Sequence, residues 1–148
     1  MARFRYRMQS ILNIKEKLET QAKQEFGLAQ RALNAEEDKL ALLIERKAGY
    51  ERELREDLSG QLHVMQLKDG NERLRVMDEM ISMQRLQVRL AEEAVEKARE
   101  KLSQAMKERK AQERLREKAF EAFLQEESKA EMKEIDQLTS YTYAHDLN

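Results

Sequence analysis

The chain has no cysteine, no proline and no tryptophan in 148 residues, four glycines, and only 5% aromatic residues. Without cysteine there are no disulfides, no thiolate chemistry and no Cys-ligated zinc, which fits a cytosolic protein. Without proline nothing forces a helix to stop sharply. So few aromatics make a conventional globular core hard to fill, whereas a charged helix pair seamed with Leu, Ala and Met needs few. Net charge is −1, so no global field favours nucleic acid or anionic lipid. No uncharged apolar run approaches the roughly 20 residues of a membrane span. The basic opening is not followed by an apolar core, so a signal peptide is not expected.

What is present is charge, 39% of all residues, laid over a periodic apolar stripe. Between residues 74 and 123 the stripe reads Leu74, Met77, Ile81, Gln84, Val88, Ala91, Val95, Ala98, Leu102, Ala105. These are the a and d positions of heptads, with one polar break at Gln84. A period near 3.5 keeps one stripe facing a partner helix, the pattern of a coiled coil. The intervening Glu, Lys, Arg and Gln suit a solvated helix surface. After Ala105 the polar Arg109, Gln112 and Arg116 fall on seam sites, and apolar residues return at Leu115, Ala119, Phe120, Phe123 and Leu124. A shift of register or a change of partner is expected there.

Upstream, residues 9–58 are also helical in pattern. Met8, Ile11, Leu18 and Ala22 open a stripe that shifts near Phe26 and continues through Ala29, Leu33, Leu40, Leu43, Tyr50 and Leu54. Gly27 and Gly49 lie inside it, explained either by close approach of the partner or by a local bend. Before it, Arg3, Arg5 and Arg7 alternate with Phe4, Tyr6 and Met8. That is either an extended lead-in that pairs with something or a frayed first turn. Ser59-Gly60 reads as a helix stop, with Gly60 in the left-handed position. Residues 61–68 read as a short apolar-rich segment of one or two turns. Asp69-Gly70-Asn71-Glu72 reads as a turn and a helix start, with capping-box spacing from Asp69 to Glu72.

The expected architecture is all-α: one domain over residues 1–148, a long antiparallel two-helix coiled-coil hairpin. Its helices run over about 9–58 and about 71–138, joined by a connection at 59–70 and followed by a frayed tail at 139–148. With that turn, residues whose numbers sum to about 129 should face each other. Phe4 should then meet Phe123 or Leu124, Leu33 should meet Val95 or Glu96, and Leu54 should meet Leu74.

Nothing in this pattern is catalytic. The only histidines, His63 and His145, lie in no cluster with ligand spacing and read as surface residues. There is no glycine-rich phosphate loop, and the many carboxylates sit beside Lys and Arg on solvated faces. No enzyme activity, cofactor, metal or small-molecule substrate is expected. The basic cluster Lys107, Arg109, Lys110, Arg114, Arg116, Lys118 is interrupted by Glu108, Glu113 and Glu117 and lacks interleaved aromatics, so nucleic acid is not expected as a partner. Met77, Met80 and Met83, with Met65 just before, belong either to the core or to an adaptable binding surface.

The opening from Phe4-Arg5-Tyr6-Arg7-Met8 through Gln9-Ser10-Ile11-Leu12 resembles that of the flagellar export protein FliJ family. The likeness continues in residues 50–58 with the Gly60 break, in Met80-Ile81 to Gln87-Val88, in residues 115–123, and in Glu131-Met132-Lys133-Glu134-Ile135-Asp136. The resemblance implies a non-enzymatic, cytoplasmic part of the type III export apparatus, peripheral at the inner face of the cell membrane. It implies an antiparallel coiled coil similar to the stalk of rotary ATPases, which enters the ring of the export ATPase FliI and promotes its assembly. It also implies contact with the export gate FlhA and with export chaperones. On this resemblance Phe4, Tyr6, Ile11, Phe120 and Phe123 would face the ATPase ring, and Arg73, Met77, Met80 and Gln84 would face the gate. The stalk of a virulence type III secretion system, or a plain coiled-coil tether, are the other readings. Monomer and dimer are both open.

Overall fold

The computed structural model describes residues 2–60 and 64–146. The expected segment at 61–63, with His63, lies outside the described residues. Two helices account for nearly everything: α1 over Gln9–Leu58 and α2 over Val64–Asp146. The chain forms two compact units, Gln21–Leu102 and Met1–Thr20 with Ser103–Asn148. The fold is the expected all-α antiparallel two-helix pairing.

In the unit Gln21–Leu102, every residue of the expected α2 stripe is shielded. Met77, Ile81, Val88 and Val95 are buried, and Leu74, Gln84, Ala91, Ala98 and Leu102 are half-buried. Leu33 packs between Val88 and Val95, ringed by Phe26, Ala29, Leu40 and Ala91. The polar break has a partner: Gln84 Nε2 donates to the Glu36 carbonyl at 2.9 Å, so two polar seam residues answer each other. Lys47, also on the seam, reaches out to Asp78 at 2.7 Å.

The α1 stripe differs from expectation at its start. The least exposed residues are Leu12, Lys15, Glu19 and Ala22, then Phe26, Ala29 and Leu33. Spacings of three and four alternate without a break, so there is no shift at Phe26. Leu12 is 3% exposed, whereas Ile11 is 37% exposed. Met8 and Leu18 also face outward. The apolar residues misled because polar ones occupy the seam beside them. The same holds on α2: Arg109, Gln112, Ala119 and Phe123 remain half-buried at unbroken heptad spacing, while Leu115 and Phe120 are more exposed. The expected register shift after Ala105 is absent.

Three further expectations are corrected. Asp69-Gly70-Asn71-Glu72 is not a turn; α2 is already helical from Val64. Gly70 is there for packing, since a Cβ on it would lie 2.7 Å from Leu54 Cδ1. Here Leu54 meets Gly70 rather than Leu74 and Tyr50 lies under Arg73, about one helical turn off the expected register, whereas Leu33 with Val95 and Phe4 with Phe123 meet as expected. Gly27 and Gly49 have no partner-helix atom near the Cβ position, so close approach does not explain them. Gly60 is not left-handed, because no described glycine has positive φ. Instead α1 closes when the Ser59 amide and hydroxyl both bond the Glu56 carbonyl. Residues 139–146 are helical, not frayed. Thr139 and Thr142 bond the carbonyls of Ile135 and Leu138, and Tyr141 stacks edge-on with His145 at 4.7 Å, offsetting weak propensity.

The corrected seam has a direct consequence. Leu12→Ala is expected to lower unfolding stability by about 2–3 kcal/mol, and Ile11→Ala by under about 1 kcal/mol. Urea unfolding followed by circular dichroism measures both; equal losses would return Ile11 to the seam.

Candidate functional site

The unit formed by Met1–Thr20 and Ser103–Asn148 is held by a different chemistry from the apolar seam. Residues 2–6 are non-helical, and a turn at Arg7-Met8 leads into α1, with the Gln9 amide donating to the Tyr6 carbonyl. This decides the lead-in: it is not a first helical turn. Its period of two puts Phe4 and Tyr6 half-buried and leaves Arg3, Arg5 and Arg7 exposed. Phe4 meets Phe120 edge-on at 5.1 Å and Phe123 at 5.5 Å. Such ring pairs add about 0.5–1.5 kcal/mol beyond area burial. The guanidinium of Arg116 lies 5.9 Å from the Phe4 ring and donates to Gln9 Oε1. The Tyr6 hydroxyl donates to Gln112 Oε1 at 3.1 Å.

Below this cluster the seam is ionic. Glu19, 5% exposed, accepts from Arg109 Nε, and Arg109 also pairs with Glu113 at 2.8 Å. Lys15 donates to Glu108 at 3.1 Å. Hydrogen bonds from Lys15 and then Gln104 hold the Glu108 carboxyl below the usual carboxylate range. Hydrogen bonds from Arg109 to Glu113 and Glu19 push the Arg109 pKa upward. The basic cluster at 107–118 is thus divided: Arg109 and Arg116 serve the pairing, while Lys107, Lys110, Arg114 and Lys118 remain on the surface. Beside the lead-in runs a groove of about 980 Å³, lined by Phe4, Tyr6, Ala119 and Phe123 and by Arg3 and Arg5.

Of the residues linked to an ATPase ring, Phe4, Tyr6, Phe120 and Phe123 come together here. Ile11 joins the same unit as an exposed residue, not as part of the ring cluster. The residues linked to a gate do not form one surface. Met77 is buried and Gln84 is bonded to Glu36 in the seam, whereas Met80 is 42% exposed. Arg73 is exposed but engaged by Glu53 at 3.8 Å and by the Tyr50 ring at 5.2 Å. Sequence reasoning placed Arg109 and Gln112 on seam sites without finding their partners, and missed Glu19, whose seam spacing was the available signal. Among the described residues no group of three or more His, Asp or Glu could hold a metal ion. No described helix is long and apolar enough to cross a membrane.

A family profile described as Flagellar FliJ protein matches residues 4–148. The chain belongs to the FliJ family. Among solved structures, it is similar to CT670 of Chlamydia trachomatis, assigned as a YscO homolog, with a TM-score of 0.76 and 22% identity over 95% of this chain and 96% of that one. At that identity the likeness speaks for the fold. No curated protein matches the chain. As a member of the FliJ family it is a non-enzymatic, all-helical protein of the type III secretion stalk kind.

The lowered Glu108 pKa sets a pH dependence. A carboxylate depressed in the folded state contributes stability above its unfolded value, 4.5, and loses it as pH falls through the folded value. The melting temperature should therefore drop on acidification below 4.5, and Glu108→Gln should flatten that drop. Thermal melts of both proteins across this range measure it; parallel curves would remove Glu108 from the account.

Proposed function

We propose that this chain is the stalk of a type III export apparatus, which engages the export ATPase ring through its aromatic lead-in. The observation carrying this reading is the clasp of Phe4 on Phe120 and Phe123, in a chain matched to the FliJ family from residue 4 onward. The clasp joins the lead-in to α2 in one aromatic cluster with Arg3, Arg5, Arg7 and Arg116 around it, the composition of an interface anchor. A ring of identical subunits cannot make identical contacts with one asymmetric stalk. The stalk therefore biases which ATPase site is closed, through differential contacts alone. On this reading the ring is FliI, and contacts to the gate FlhA and to export chaperones complete the partner set. The protein then acts in the cytoplasm, peripheral at the inner face of the membrane. Of the gate residues, Arg73 and Met80 remain the accessible ones.

A second reading keeps the mechanism and changes the machine. The likeness to a YscO homolog supports a stalk in a virulence secretion system. Deleting the gene separates the two: loss of motility and filament export marks the flagellar role, and loss of secreted effectors with motility intact marks the other.

Adding the purified protein to its cognate ring ATPase should raise both hydrolysis and oligomerisation. Removing residues 1–8, or combining Phe4→Ala with Phe123→Ala, should weaken that effect roughly tenfold or more. Sedimentation and phosphate release report the two readouts. A truncated chain as active as the intact one would leave only a tether.

A further inference from the structure

We propose that a second copy of this chain docks on one face of the unit Gln21–Leu102, making an antiparallel four-helix bundle. The heptad assigns the face. With the seam at a and d, the positions on one side of it are g and c. Two ion pairs join g positions of the two helices, Glu25 with Lys101 at 2.8 Å and Glu53 with Arg73 at 3.8 Å. The g positions of α1 and α2 thus line the same side, as in antiparallel coiled coils. Between these two bracketing pairs the charge largely disappears. On α1 the c and g positions include Leu28, Ala32, Ala35 and Leu42; on α2 they include Val76, Met80, Met83 and Leu90. Leu42 is 61% and Met83 70% exposed. The b and e positions on the other side of α2 carry mainly charged residues such as Asp78, Arg85, Arg89, Glu92, Glu96 and Arg99, while those of α1 include Ala41, Ile44 and Ala48 among polar residues.

The occupant follows from the levels at which these residues sit. The two bracketing pairs set Ala35 level with Leu90, Gly49 with Val76, and Leu42 with Met83. A twofold axis parallel to the helices lays α1 of one copy over α2 of the other without changing levels. At its two ends a bulky side chain of α2 then meets a small residue of the partner's α1, Leu90 over Ala35 and Val76 over Gly49, while Met83 packs on Leu42 between them. The position of Gly49, open on this face, thereby acquires a use. At the rim, Arg31 is brought to Glu93, a complementary pair, while Glu45 and Glu79 meet at the solvent edge. One face both supplies and receives, which is the condition for an isologous dimer. A patch on the order of 30 Å by 20 Å offers about 600 Å² per chain, at the low end for a specific interface. Lys39, Arg46, Gln87 and Lys97 interrupt it, so the dimer should be weak, with Kd on the order of tens of micromolar. The proposal does not depend on the export reading.

Sedimentation equilibrium of the full chain over a range of concentrations tests it. The average mass should rise from one chain toward two. Leu42→Lys and Met83→Lys should each hold the mass at one chain with helix content unchanged, and Ile44→Lys should leave dimerisation intact. A mass of one chain at every concentration, or a dimer indifferent to both lysines, overturns the proposal. The absence of native cysteine allows a second reading of the same interface. Mixed Ala35→Cys and Leu90→Cys proteins should form a disulfide between copies on oxidation. Crosslinks confined to like variants would refute this axis.

Discussion

Everything in this chain depends on keeping one narrow stripe of each helix turned toward the other. A helix surface that is 39% charged over the whole sequence has little else to bury, so each seam position counts. Where the stripe is apolar, burial of Leu33, Val88 and Val95 supplies the association, each such side chain contributing about 1.5–3 kcal/mol when fully buried. Where it is polar, the side chains answer one another across the seam. Gln84 finds the Glu36 backbone, Glu19 finds Arg109, and Tyr6 finds Gln112. Among the described residues no fully buried side-chain N or O atom lacks a hydrogen-bond partner. The hairpin is therefore not an interrupted coiled coil but a continuous heptad pattern filled with two chemistries.

That division explains what could be read from the sequence. The α2 stripe from Leu74 to Ala105 was legible in full, because apolar residues at heptad spacing have one cheap solution. The opening of α1 was not. Ile11 and Leu18 looked like seam residues only because hydrophobicity was the signal followed, while Lys15 and Glu19 held the true positions. The start of α2 was missed for a related reason. Asp69-Gly70-Asn71-Glu72 has the chemistry of a turn, but tertiary packing of Leu54 against Gly70 overrides local preference. The tail was undervalued because propensity ignores the local bonds of Thr139 and Thr142 to their own helix.

The aromatic clasp was half legible. Alternation of Arg with Phe4 and Tyr6 marked an unusual segment, and antiparallel pairing placed it near Phe123. The contact of Phe4 with Phe120, which lies off the stripe, did not follow from the heptad pattern. The gate-linked set fared worse: four residues spaced along one helix cannot share a surface when two of them, Met77 and Gln84, point into the seam. Membership in the FliJ family sets the frame, while the contacts themselves follow from which side chains remain free to make them.

The pairing of Glu19 with Arg109 also bears on how the molecule assembles. Long repetitive helices can zip together in misaligned frames, because any heptad step restores an apolar match somewhere. Sliding one helix by a heptad in one direction would set Arg109 against Leu12, an apolar side chain in place of the Glu19 carboxylate it pairs with. A misaligned hairpin therefore has a strong incentive to reopen and try again. The ionic layer works as a proofreading step for alignment, in a chain whose composition offers few others.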